Sequence, residues 1–240
     1  MHHQLRSLDT LLVGVLLPVM LMLLFVYVFG GALSTGSSGL SYVDYVVPGV
    51  VLLTAGYGAA NTAQAVTADI SGGVVDRLRS LPVASWAVPG GHVLASLVKN
   101  LGTTAIVIGV AVLVGFRPHA STADWLAAVG LVALYVLAMT WVAAAVGMVA
   151  RSVEAASAFS FFVLFLPYLS SSFVPVETMP RVLRAVAEHQ PITPTTDALR
   201  ALLLGAPVGN HAGVAIAWWA GALLLAAPVA AVLFRRRTSR

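Results

Sequence analysis

Residues 69–91 read DISGGVVDRLRSLPVASWAVPGG, a charged stretch from Asp69 to Gly91 set between two long apolar runs. Val75, Leu78 and Leu81 recur every third residue, with Asp76, Arg77 and Arg79 among them. That spacing predicts a short amphipathic helix. Gly72 and Gly73 release it from the preceding helix, and Pro82 stops it. A solvated hairpin would carry the same charges. In either form the stretch belongs in water, while its flanks do not.

The composition extends that contrast to the whole chain. Of 240 residues, 59% are hydrophobic and 9% charged, with a mean hydropathy of +0.94. Soluble domains carry roughly 25% charged residues, so this surface cannot all face water. An all-α integral membrane protein follows, read as a single transmembrane domain over 1–240. The chain contains no cysteine, which excludes disulfides, thiolate metal sites and cysteine nucleophiles.

A membrane-crossing helix needs about 20 apolar residues. Six stretches meet that need: 11–30, 45–68, 93–115, 125–150, 155–173 and 212–234. The first exceeds the 7–15 residues of a signal-peptide core and is kept as a span. Pro18 kinks it, and Pro48 falls near the first turn of the second. Lys99 lies near enough to one end of the third to snorkel. Small residues Gly56, Ala60, Ala63, Ala143 and Gly147 allow close helix contact, within the chain or between copies.

Sidedness follows from the basic residues. With both termini on one side, that side holds Arg6, Arg77, Arg79, Lys99, Arg151, Arg235, Arg236, Arg237 and Arg240. Arg117, Arg181, Arg184 and Arg200 fall on the other. The nine-to-four split places both termini and the 69–92 loop in the cytoplasm. Residues 174–211 then lie outside. Thr178 caps a helix there through Glu188, with Val182, Leu183, Val186 and Ala187 on one face. Thr195 or Thr196 caps a second through Leu204, with Gly205 after its end. These half-length helices form a lid or re-entrant hairpin, or else an ordinary interfacial loop.

No phosphate-binding Gly-x-x-x-x-Gly-Lys motif and no His-Glu-x-x-His occurs. His, Asp and Glu fall at span ends and in loops, unlike the buried charges of ion-coupled carriers. An ion-coupled transporter and a membrane-embedded lipid-modifying enzyme are therefore the alternatives, each short of the ionisable groups it needs. What remains inside is neutral and polar. Asn61 and Gln64 share a face of the second span; Ser160, Tyr168 and Ser171 line the fifth. They read either as the path of an amphiphilic substrate or as interhelical hydrogen bonds.

Three stretches resemble the membrane subunit of type-2 ABC exporters, in the drug-resistance branch typified by daunorubicin exporters. They are Tyr45-Val46-Val47-Pro48-Gly49, GGVVDRLRSLPV from Gly72 to Val83, and SSSFVPVETMPRVLRAVAEHQPITPTTDALRALLLG from Ser170 to Gly205. Gln190 stands where that family usually has Asn, and only Met1 to Thr10 precede the first span, where the family has a longer amphipathic segment. The resemblance implies a permease in the bacterial plasma membrane, paired with a second copy or a homologous permease. Two copies of a separate ATPase bind ATP and magnesium; this chain holds no cofactor, metal or catalytic residue and no nucleic acid. It further implies ATPase coupling through Asp76, Arg77, Leu78, Arg79, Leu81 and Pro82. An outer gate falls at Phe173, Pro175, Met179, Pro180 and Pro194.

Overall fold

The computed structural model describes residues 14–30, 39–72 and 87–238; their regular structure is helical, without strands. Helix α1 covers Gly14–Phe29 and closes in a π-helical turn, Leu24–Phe29. Helices α2 (Tyr42–Ala60) and α3 (Thr62–Ser71) form one rod interrupted at Asn61. Then follow α4 (Ala87–Val114), α5 (Thr122–Val149), α6 (Val153–Phe165), α7 (Arg181–His189), α8 (Ile192–Leu204) and α9 (His211–Thr238). Among the described residues, four stretches are long and apolar enough to cross a membrane: Tyr42–Ser71, Gly90–Val114, Thr122–Val149 and His211–Arg235. Gly14–Phe29 and Val153–Leu169 are shorter apolar helices.

Serines set three of the helix starts. Ser41 Oγ accepts from the Asp44 amide, Ser152 Oγ from that of Ala155, and Ser121 and Asp124 cap each other reciprocally. These caps explain why α2 and α5 begin three residues before the apolar runs predict. The fifth span is shorter than expected: α6 ends at Phe165 and passes into a 3₁₀ turn, Leu166–Leu169, at Pro167. The proline ring and its missing N–H do not fit a continuing helix.

Helix α2 is the core of the bundle. Val46, Val47, Val50, Val51, Leu52 and Leu53 are all buried, and α4, α5, α6 and α8 pack around them. Close approach depends on glycine. A Cβ on Gly147 would lie 2.5 Å from the Ala63 carbonyl oxygen, and one on Gly58 only 1.7 Å from Asn100 Oδ1. Thr67 Oγ1 donates to the Gly147 carbonyl at 2.9 Å. The Ala63 and Gly147 stripes thus meet within one chain.

The segment expected as an outer lid divides into two unlike parts. Helix α8 is packed into the bundle against α2, α5 and α9, with Thr195 and Thr196 fully buried. It starts at Ile192 after Pro191, three residues before the predicted caps, and Gly205 ends it at φ +67°. Helix α7 starts after Pro180 rather than at Thr178, whose hydroxyl instead donates to the Pro175 carbonyl. Its Val182, Leu183 and Val186 are exposed, and Ala187 alone of the predicted face is buried. Arg184 pairs with Glu188 one turn on, which raises the guanidinium's pKa.

Candidate functional site in the helix bundle

Asn61 stands at the break between α2 and α3, and Gln64 follows one turn later. Gln64 Nε2 donates to Asn61 Oδ1 at 3.3 Å and to Ser160 Oγ on α6 at 3.2 Å. Three of the five residues predicted for the substrate path therefore touch. Ser160 is buried; both amides are half-exposed. Elsewhere on these two helices Ala65 and Ala68 of α3 and Phe161, Phe162 and Phe165 of α6 are exposed. Along the α3–α6 seam, neutral hydrogen-bonding groups thus face one another, the two amides half-exposed. Such a surface suits an apolar molecule bearing hydroxyl or carbonyl groups, and offers no charge to hold an ion.

A second polar cluster was missed by the sequence reading. Thr62 Oγ1 donates to Ser96 Oγ at 3.2 Å, Ser96 meets Thr140 at 3.3 Å, and Asn100 Nδ2 reaches Ser96 Oγ at 3.0 Å. All four are buried. Ser96 and Asn100, four residues apart, were the available signal. This cluster satisfies itself and joins α3, α4 and α5, so its effect is on packing.

The remaining path and gate residues gather at the end of the bundle that holds α8. Tyr168 stacks on Phe173 at 4.8 Å, and Phe173 on Phe25 of α1 at 4.6 Å. Tyr42 Oη donates to the Phe173 carbonyl at 3.1 Å. Pro175 leads into the 3₁₀ turn Val176–Thr178, and Met179 is half-buried after it. Pro180 is exposed at the start of α7, while Pro194 is buried in the first turn of α8. The gate set is therefore not one cluster: Phe173 joins an aromatic stack, and Pro180 and Pro194 stand on different helices. Gln190 Nε2 donates to the Leu166 and Leu169 carbonyls, tying α7 and α8 to the end of α6.

Ser171 leads to an ion pair that sidedness counting had treated as loop charge. Its Oγ donates to Asp197 Oδ1 at 2.7 Å. Arg200 Nη1 donates to the same oxygen at 2.7 Å, and Nη2 to the Ser171 carbonyl at 2.8 Å. Nε and Nη2 both reach the Tyr45 carbonyl at 3.1 Å, and Cζ lies 4.0 Å from the Tyr45 ring centre. The Arg200 side chain is 11% exposed. One guanidinium thus fastens α8 to the start of α2 and to the serine turn after α6. Three-residue spacing of Asp197 and Arg200 was the sequence signal.

The predicted coupling residues Asp76, Arg77, Leu78, Arg79, Leu81 and Pro82 lie outside the described residues. The helices on either side of them are joined, because His92 Nε2 sits 2.8 Å from Asp69 Oδ2.

A family model described as "ABC-2 type transporter" matches residues 2–204. The chain is similar to the daunorubicin resistance ABC transporter permease protein DrrB1 of Streptomyces coeruleorubidus. The two are 29% identical over 226 residues, covering 94% of this chain and 79% of the relative. It is also similar to a probable doxorubicin resistance ABC transporter permease protein, DrrC, of Mycobacterium tuberculosis. That likeness is 26% over 242 residues, covering 98% and 84% of the two chains.

Proposed function

The chain belongs to the ABC-2 type transporter family as a transmembrane exporter subunit, and on that premise we propose that it moves a hydrophobic, weakly polar compound along the α3–α6 seam. The relatives' names, with daunorubicin and doxorubicin, point to fused aromatic compounds bearing hydroxyl and carbonyl groups. One observation carries the proposal. Gln64, half-exposed, bridges Asn61 and Ser160 across the seam between α3 and α6. Those neutral groups can exchange hydrogen bonds with each other for bonds to a passing hydroxyl or carbonyl, at little net cost.

In this reading the six-span plan stands, with α1 and Val153–Leu169 as the two shorter spans. Both termini face the cytoplasm of a bacterial cell. A second permease, identical or homologous, completes the pathway, and two copies of a separate ATPase bind ATP and magnesium. The Asp69–Gly91 loop receives the push: Leu78, Leu81 and Pro82 enter a groove on the ATPase, while Asp76, Arg77 and Arg79 set its orientation. The Asp69–His92 contact braces the loop's two ends, so movement of the loop is passed to α3 and α4. Tyr168, Ser171 and Phe173 stand at the exit.

The test is transport by the permease and its ATPase in inside-out vesicles. ATP-dependent accumulation of daunorubicin or a comparable hydroxylated aromatic supports the proposal. Accumulation that needs an ion gradient and no ATP hydrolysis would sink it.

A further inference from the structure

Away from the Asn61–Gln64–Ser160 contact, on the flank formed by α4, α5 and α8, lies a cavity of about 200 Å³ that also touches α2. Val51, Thr104, Ala105, Trp125, Val129 and Leu199 are among the residues around it. Its wall is almost wholly apolar, with one exception. Thr104 is buried, and its Oγ1 has no hydrogen-bond partner. Within a low-dielectric bundle an unpaired hydroxyl is costly, and most buried groups of this kind are satisfied. Thr103, its neighbour, bonds to the carbonyl four residues back; Thr104 does not. A water molecule is a poor partner here, since it needs two to four polar contacts and the cavity supplies so few.

Part of the cavity's lining is exposed on the outer faces of α4 and α5. Ala105 and Val129 on its rim are exposed on the helix faces that would meet lipid. Trp125 stands in the first turn of α5, where a bilayer interface favours tryptophan. Thr104 lies ten residues inside the end of α4, roughly 15 Å along its axis. The space therefore runs from an indole near the interface to a lone hydroxyl near the middle of the bundle. Apolar cavities of roughly 150 Å³ hold a benzene ring, so this one has room for a small aromatic molecule.

We infer that this cavity is a lateral binding site for a small aromatic molecule carrying one hydroxyl or carbonyl, which enters from the bilayer and hydrogen-bonds to Thr104. A saturated acyl chain would fill the space and leave the hydroxyl unpaired. The site gives the exporter proposed above a second ligand position, separate from the α3–α6 seam, and in that sense rests on the exporter reading. Binding to it requires neither ATPase nor transport.

The experiment photolabels the purified permease in lipid nanodiscs with a single-ring trifluoromethyl-diazirine phenol, and in parallel with the phenyl diazirine that lacks the hydroxyl, mapping adducts by mass spectrometry. Labelling should saturate, with adducts concentrated in residues 101–108 and 125–132. Thr104→Val keeps the shape and removes the hydroxyl. It should weaken the phenolic probe roughly two- to tenfold, the worth of one hydrogen bond, and leave the probe without a hydroxyl unchanged. Ala105→Trp, on the rim, should lower labelling by both probes. Unsaturable adducts spread over outward residues such as Leu113 and Leu224, or labelling unchanged in both variants, would overturn the inference. Neither result bears on whether the ATPase drives export.

Discussion

Replacing Arg200 by Ala tests how α8 is held in the bundle. The side chain makes four hydrogen-bond contacts, to the Tyr45 carbonyl, the Ser171 carbonyl and Asp197, and covers the Tyr45 ring. Removing one partner of a buried ion pair costs about 3–5 kcal/mol, because the other charge stays behind unpaired. Asp197 is 24% exposed here, and solvent screening brings the expected loss to about 2–4 kcal/mol. That amounts to roughly thirtyfold to several-hundredfold in the opening of α8. The chain has no cysteine, so Ala198→Cys on the buried face of α8 reports opening without background. Thiol labelling at Cys introduced there should be slow in the parent and faster by that factor with Arg200→Ala. Adding Asp197→Ala should recover more than half of the loss, since no charge is then stranded. Equal labelling rates with and without Arg200 would refute the argument that this guanidinium fastens α8.

Replacing Gln64 by Leu breaks both its bonds and should change the ranking of exported compounds while leaving protein levels intact; transport assays on a panel of aromatic compounds decide this. A uniform loss of transport with poor expression would mark Gln64 as a packing residue. Leu78→Ala combined with Leu81→Ala should detach the ATPase, since each fully buried leucine contributes about 1.5–3 kcal/mol. Co-purification of the ATPase at low and high salt measures it, and full retention would show the loop to be a solvated hairpin. For orientation, single cysteines at Ser80 and Ser239 should resist a membrane-impermeant thiol reagent in intact cells, while one at Ser37 or His189 reacts. Labelling of Ser80 from outside reverses the topology.

Much of the helix plan was legible because apolar runs fix where the chain cannot face water. The run at 45–68 lies within the Tyr42–Ser71 rod, and 125–150 nearly coincides with α5. Helix ends were less legible, as they depend on caps such as Ser41 and Ser152 that lie outside the apolar run. The contact of Asn61, Gln64 and Ser160 was half legible. Helical spacing puts Asn61 and Gln64 on one face, but nothing local reveals that α6 supplies Ser160. Residues 174–211 were less legible for the same reason. Periodicity gives an amphipathic helix its face without saying what covers it. The hydroxyl of Thr195 accepts from Trp219 Nε1 at 2.7 Å, a partner 24 residues away. Conversely, the apolar face of α7 remains exposed.

The central claim is that a separate ATPase drives export through this chain. The most direct measurement purifies the tagged permease from its native membrane, counts the ATPase chains bound to it, and follows transport in vesicles made from the same material. The expected result is one ATPase chain per permease, with transport that stops when ATP hydrolysis is blocked and survives a protonophore. A folded permease that exports without any bound ATPase, and loses transport when the proton gradient is collapsed, would contradict it.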